Sequence, residues 1–187
     1  MARTPSNMMP LKTQAPKFNL LDTQTKHMRT LQELKGNKGT VIMFICNHCP
    51  FVIHINNKIV AIANNYKKKD IAFIAISSND VIKYPQDAPE NMSIHAKKNN
   101  YPFPYLYDET QTIAKAYDAA CTPDLYLFDK DLKLTYRGQL DNSRPENGYP
   151  VTGNDLKQAM DCLLENKKNT APQKPSIGCN IKWKTPF

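Results

Sequence analysis

Thr40-Val41-Ile42-Met43-Phe44-Ile45-Cys46-Asn47-His48-Cys49-Pro50 is the stretch on which the reading of the whole chain turns. Its first six residues run without a charge, and their length and branching favour a strand buried on both faces over a helix. Two cysteines separated by two residues follow at once. Beyond them, Phe51 to Lys69 places Ile55, Ile59, Ile62, Ala63 and Tyr66 at the spacing of an amphipathic helix. Pro50 suits the first turn of that helix, where its missing N–H would have had no partner. Ile71-Ala72-Phe73-Ile74-Ala75-Ile76 is a second buried strand. Strand, helix, strand in this order implies parallel strands joined by a right-handed crossover.

Working outward, Ala15-Pro16-Lys17-Phe18-Asn19-Leu20-Leu21-Asp22 reads as an extended leading segment with a short strand, and Leu31 to Lys35 as one helical turn. Downstream, a polar, proline-containing stretch from Ser77 to Glu90 precedes a helix over Asn91 to Asn99. Pro104 to Tyr107 is extended, and Thr110 to Asp118 is helical with Asp108 or Glu109 near its start. Leu125 to Asp129 and the alternating Leu132 to Arg137 form a hairpin turning at Lys130-Asp131. A last helix runs from about Gly153 to Asn166. A β-α-β half followed by a hairpin and a helix defines an α/β sandwich. The expected organisation is one domain over residues 15–168, with an N-terminal extension (1–14) and an extended tail (169–187) packed on or near it.

Apolar residues make up 41% of the 187, enough for one core. No run approaches the roughly 18 apolar residues of a spanning helix, and Met1 to Lys17 lacks the apolar stretch of a secretory signal. A cytoplasmic protein that does not engage membranes is therefore expected. The net charge of +8 comes from scattered lysines such as Lys67 to Lys69, Lys97, Lys98, Lys182 and Lys184. These read as solvated helix ends and surface; without an aromatic-interleaved basic stripe, no nucleic-acid partner is expected. Five cysteines, an odd number, do not suggest a secreted disulfide framework. In a reducing compartment, a close pair points to redox chemistry or metal binding.

At the mouth of a helix, backbone N–H groups favour thiolate over thiol. Cys46 is placed to attack a disulfide, and Cys49, one helical turn on, to displace the partner and close an internal disulfide. A partly protonated His48 would favour thiolate at Cys46. The plainer alternative is two core cysteines. A second signal is Cys121-Thr122-Pro123-Asp124 just before the hairpin, where Pro123 is either a cis turn proline or an ordinary trans proline at the start of a strand.

Taken together, the segment Ala15 to Asp22, Cys46-Asn47-His48-Cys49 and Pro123 resemble the thioredoxin superfamily, and more narrowly its peroxiredoxin-like redoxin group related to the AhpC/TSA family. Pro175-Ser176-Ile177-Gly178-Cys179-Asn180-Ile181-Lys182-Trp183 and Asp141-Asn142-Ser143-Arg144-Pro145 look like the signature of one branch of it. The resemblance spans about Ala15 to Trp183. It implies a thioredoxin-like three-layer sandwich with a mixed central sheet, an inserted helix and extended termini. It also implies a catalytic dithiol with Cys46 attacking, and a cis Pro123 facing the pair and exposing the Thr122 backbone to an extended substrate. The expected partners are protein or small-molecule disulfides and a thiol reductant, with no organic cofactor and no metal. The chain departs from the pattern in two places. Ile45 stands where thioredoxins carry Trp, and the position of their buried carboxylate falls near Thr40. The base for Cys49 therefore stays open among His48, Asp108, Glu109 and water.

Two other functions compete. In a peroxidase, Cys49, followed by Pro50, aligns with the peroxidatic cysteine. The threonine of the peroxide pocket is then replaced by Cys46 and its arginine by Pro123, leaving Arg137 and Arg144 as substitutes. In a copper- or zinc-binding protein, Cys46, His48 and Cys49 would be ligands, with no fourth ligand at zinc-site spacing; His54 falls on another helix face, and His27 and His95 stand alone. Cys121 is either core or an accessory redox residue, and Cys162 reads as core. Cys179 is either a redox relay on a mobile tail or part of a segment clamped by Ile181 and Trp183.

Overall fold

The computed structural model describes residues 3–185; Met1 and Ala2 of the expected extension and Pro186 and Phe187 of the tail lie outside them. In chain order the strands are β1 (Arg3–Pro5), β2 (Asn19–Asp22), β3 (Met28–Thr30), β4 (Gly39–Phe44), β5 (Ile71–Ser77), β6 (Tyr105–Tyr107), β7 (Cys121–Thr122), β8 (Asp124–Asp129), β9 (Leu134–Gly138) and β10 (Ile177–Asn180). The helices are α1 (Leu31–Leu34), α2 (Pro50–Lys67), α3 (Pro89–Lys98), α4 (Thr112–Ala116) and α5 (Asn154–Leu164).

Seven strands form the central sheet in the order β3-β2-β6-β5-β4-β8-β9. β4 pairs in parallel with β5, and β5 with β6, whereas β8 runs antiparallel to β4 and β9 antiparallel to β8. All six residues of β4 are buried, as the uninterrupted apolar run predicts. Side chains alternate across a strand, so β4 feeds two cores. Val41 and Met43 join Ile55, Ile59, Met92 and Leu156 of α2, α3 and α5 on one face. Ile42 and Phe44 join Leu31, Ala114 and Tyr117 of α1, α4 and its C-cap on the other. Helix, sheet and helix layers make the expected sandwich, and α3 is the inserted helix. Among the described residues, no helix is long and apolar enough to cross a membrane.

A second, three-stranded sheet joins the two ends of the chain. β10 lies between β1 and β7 and is antiparallel to both, with Cys179 opposite Arg3 on one side and Thr122 on the other. Ser6 N donates to Ser176 O at 2.9 Å, and Ser176 N donates back to Ser6 Oγ at 3.0 Å. The tail continues under the body of the protein, where Ile181 is buried in the second core. Trp183 is more than one-third exposed and has the Lys115 ammonium 5.8 Å from its ring centre. Of the two residues expected to clamp the tail, Ile181 supplies the anchor.

Candidate active site

The strand-to-helix junction sets the position of both cysteines. β4 ends at Phe44, and Ile45 N still bonds to Ile76 O at 3.0 Å, which holds Cys46 at the sheet's end. Cys49 is the N-cap of α2 and Pro50 its first residue, so the partial positive charge of the helix end acts most directly on Cys49. Cys46 and Cys49 are both buried, while Asn47 and His48 between them are partly exposed.

The peptide between Thr122 and Pro123 is cis. Thr122 meets both sulfurs: Cys46 Sγ lies 3.5 Å from Thr122 Oγ1, and Cys49 Sγ donates to Thr122 O at 3.1 Å. The other neighbour of Cys49 is Cys179, with its Sγ at 3.0 Å. Cys49 thus sits at the centre of a three-sulfur cluster.

Electrostatics separate the three thiols. Hydrogen bonding from Cys46 brings Cys49 down to about 5 against the opposing cost of burial, aided by Thr122 and by the side chain and backbone of Cys179. Cys46 is pushed well up by the same shared proton, by burial and by the Asp87 carboxylate. Burial and the Cys49 contact push Cys179 up to about 12. Two arrangements of one proton account for these contacts. With charge on Cys49, Cys46 and Cys179 donate to it; with the proton on Cys49, its S–H turns to Thr122 O and the charge sits on Cys46. The expectation of a lowered Cys46 thiol is corrected: the hydrogen bond it shares with Cys49, burial and Asp87 all hold Cys46 up, and the same hydrogen bond lowers Cys49.

Asp87 is the residue of this site that sequence reasoning passed over. It is fully buried, accepts from Asn47 N and from Asn79 Nδ2 at 2.8 Å each, and has His48 Nδ1 2.7 Å from Oδ2, off the line of a good hydrogen bond. His48 also stacks on Tyr84 at 5.6 Å. Potential ligand atoms of Cys46, His48 and Asp87 lie within 4.8 Å of one another, so Asp87, not Cys49, completes that cluster. His48 Nδ1 and Asp87 Oδ2 touch at 2.7 Å, whereas two ligands on one zinc, each at about 2.0–2.2 Å, stand further apart in a tetrahedron.

The remaining candidates fall elsewhere. Asp108 accepts from Ser78 Oγ and from Ala114 N, capping α4, and Glu109 is exposed; the hydrogen bonds of neither reach the dithiol. Arg137 Nη1 donates to Met9 O, and Arg144 Nη1 to Asp141 O and Ser143 O, so both guanidinium groups are engaged away from the sulfurs. His54 bonds Ser143 Oγ at 2.6 Å. Cys121 is buried, its thiol pushed up by burial and by Asp124, and Cys162 is half-buried on α5. The Thr122 edge, expected to face an extended substrate, is taken up by β10.

The AhpC/TSA family model matches residues 11–137. The chain belongs to the AhpC/TSA family. Its fold is that of an uncharacterized conserved protein from Geobacillus kaustophilus at a TM-score of 0.98 and 56% identity, covering 100% of this chain and 99% of that one. A hypothetical protein from Sinorhizobium meliloti 1021 matches at 0.95 and 43% identity over 98% and 100% of the two chains. The peroxidoxin BcpB from Mycobacterium tuberculosis shares the fold at a TM-score of 0.62 and 16% identity, covering 85% of this chain and 98% of that one. No curated protein matches the chain. Membership of this redoxin family and the thioredoxin fold together mark a redox protein.

Proposed function

We propose that the protein is a thiol–disulfide oxidoreductase in which Cys46 and Cys49 cycle between dithiol and disulfide. The observation that carries this reading is the placement of two thiols at the mouth of α2, both against Thr122, where hydrogen bonding from Cys46 lowers Cys49 to about 5. Substrate reaches Cys46 from the side of Asn47 and His48, the partly exposed part of the motif. Transfer of the shared proton to Cys49 leaves thiolate on Cys46, which attacks one sulfur of a protein or small-molecule disulfide, and the first substrate thiolate departs. Cys49, deprotonated again, attacks the Cys46 sulfur, forms the internal disulfide and expels the second substrate thiolate. A thiol reductant restores the dithiol. The proton acceptor for Cys49 in this account is the first substrate thiolate as it departs, because Cys46, once in the mixed disulfide, carries no charge to accept it. A reducing compartment such as the cytoplasm suits the cycle.

Dithiothreitol-driven reduction of insulin disulfides tests it: activity in the wild type and its loss in both Cys46→Ser and Cys49→Ser is expected, and full activity in either variant contradicts the reading. One observation favours a peroxidase instead, the low-lying thiolate on Cys49, which aligns with the peroxidatic position. Against it stands the lack of a guanidinium aimed at that sulfur among the described residues. Fast hydrogen-peroxide consumption that survives Cys46→Ser but not Cys49→Ser would establish it.

A further inference from the structure

β10 brings a third thiol to the dithiol and holds it there. Cys179 Sγ is 3.0 Å from Cys49 Sγ, and its backbone also hydrogen-bonds to the Cys49 sulfur. The approach is close because Gly178 has no side chain; a Cβ there would overlap the Thr122 carbonyl oxygen. The strand is fixed on both edges, by β1 and by β7, and beyond it Lys182 N donates to Asn79 Oδ1 at 2.9 Å while Asp80 N donates to Lys182 O at 2.8 Å. Asn79 in turn bonds Asp87, so the tail and the Cys46 loop share one buried polar chain. A cysteine that was merely filling space would not require a strand pinned on both sides against a reactive sulfur.

We propose that Cys179 is a redox-active third thiol, to which the Cys46–Cys49 disulfide is handed on as a Cys49–Cys179 disulfide. The step rests on the dithiol reading above and is an internal exchange with no net electron change. Cys179, giving up its proton, attacks the Cys49 sulfur. The Cys49–Cys179 bond forms, the Cys46–Cys49 bond breaks, and its electron pair leaves on Cys46, which takes up a proton. The oxidising equivalent came from the substrate disulfide, and the reverse exchange returns it to Cys46–Cys49 for the thiol reductant. Cys49 is the pivot of both bonds, and Cys46 regains its thiol while the protein is still oxidised.

Disulfide mapping decides it. Wild type, Cys46→Ser and Cys179→Ser are oxidised with diamide, quenched in acid, alkylated and digested, and cross-linked peptides are identified by mass spectrometry. The expected results are a Cys49–Cys179 link in Cys46→Ser, a Cys46–Cys49 link in Cys179→Ser, and both links in the wild type with a matching fraction of Cys46 alkylated. Alkylation of both Cys49 and Cys179 in oxidised Cys46→Ser overturns the proposal. So does a wild type holding the Cys46–Cys49 link alone. Failure of Cys179→Ser to form its link sinks the dithiol reading instead, whatever Cys46→Ser does.

Discussion

Asp87 touches His48 and accepts from two amide donors, and its carboxylate adds to the Cys49 hydrogen bond and to burial in raising Cys46. Asp87→Asn keeps an acceptor for Asn47 N and removes the charge, so the alkylation profile of Cys46 should move to lower pH; an unmoved profile means the carboxylate does not act on the sulfur. Thiolate absorbance near the ultraviolet edge should show one group titrating at about 5, and Cys49→Ser should abolish it. Asp124 offers an independent pH test. Burial raises it from 3.8 to about 6. A raised folded value means the native state holds that proton more tightly, so its contribution to stability is full below about pH 4 and is lost as pH rises through about 6. Two units correspond to about 3 kcal/mol. Urea unfolding of Asp124→Asn should lack this fall between pH 4 and 6, and the variant should exceed the wild type at pH 7. Asp87 escaped sequence reasoning because its role depends on a loop, Ser77 to Glu90, whose polar residues carry no periodicity. Cys46, Cys49 and Pro123 were legible because spacing and proline chemistry mark them locally.

At the level of elements, β4, α2 and β5 follow from their own residues: a continuous apolar run, a stripe at helical spacing, and a second run. The same was true of the β8–β9 hairpin, whose returning strand begins at Leu134 rather than Leu132 because Asp129 Oδ1 accepts from Asp131 N and Lys133 N and holds the turn open. β1 and β10 were not legible. Arg3-Thr4-Pro5 and Ile177-Gly178-Cys179-Asn180 are short, and their order arises from pairing between opposite ends of the chain. β10 should depend sharply on close backbone approach. Gly178→Ala must push the strand off Thr122, so a loss of stability of about 1–3 kcal/mol is expected, together with faster alkylation of Cys179. Unchanged stability and unchanged alkylation would mean that the approach is not needed.

Across the whole molecule, β1 and β10 close over the Cys46–Cys49 motif, and the tail is anchored in the core opposite α2 through Ile181. Ile181→Ala removes a buried side chain and should cost about 2–4 kcal/mol, lowering Tm by roughly 5–15 °C for a chain of this size. Deleting residues 1–6 removes β1 and the Ser6 bonds to Ser176. Amide protection across Ile177–Asn180 should then fall well before that of β4, as measured by hydrogen exchange; equal protection in both forms would show that β7 alone secures the tail. The account as a whole rests on Cys46 and Cys49 exchanging two electrons as a unit. Equilibrate the Cys179→Ser variant, in which no third thiol can take over the disulfide, across a series of reduced and oxidised dithiothreitol, trap with an alkylating reagent and follow Cys46 and Cys49. The prediction is that both become protected together along a two-electron curve, tenfold per about 30 mV. Cys46 that stays open to alkylation at every potential, with no internal disulfide through Cys49, would contradict it.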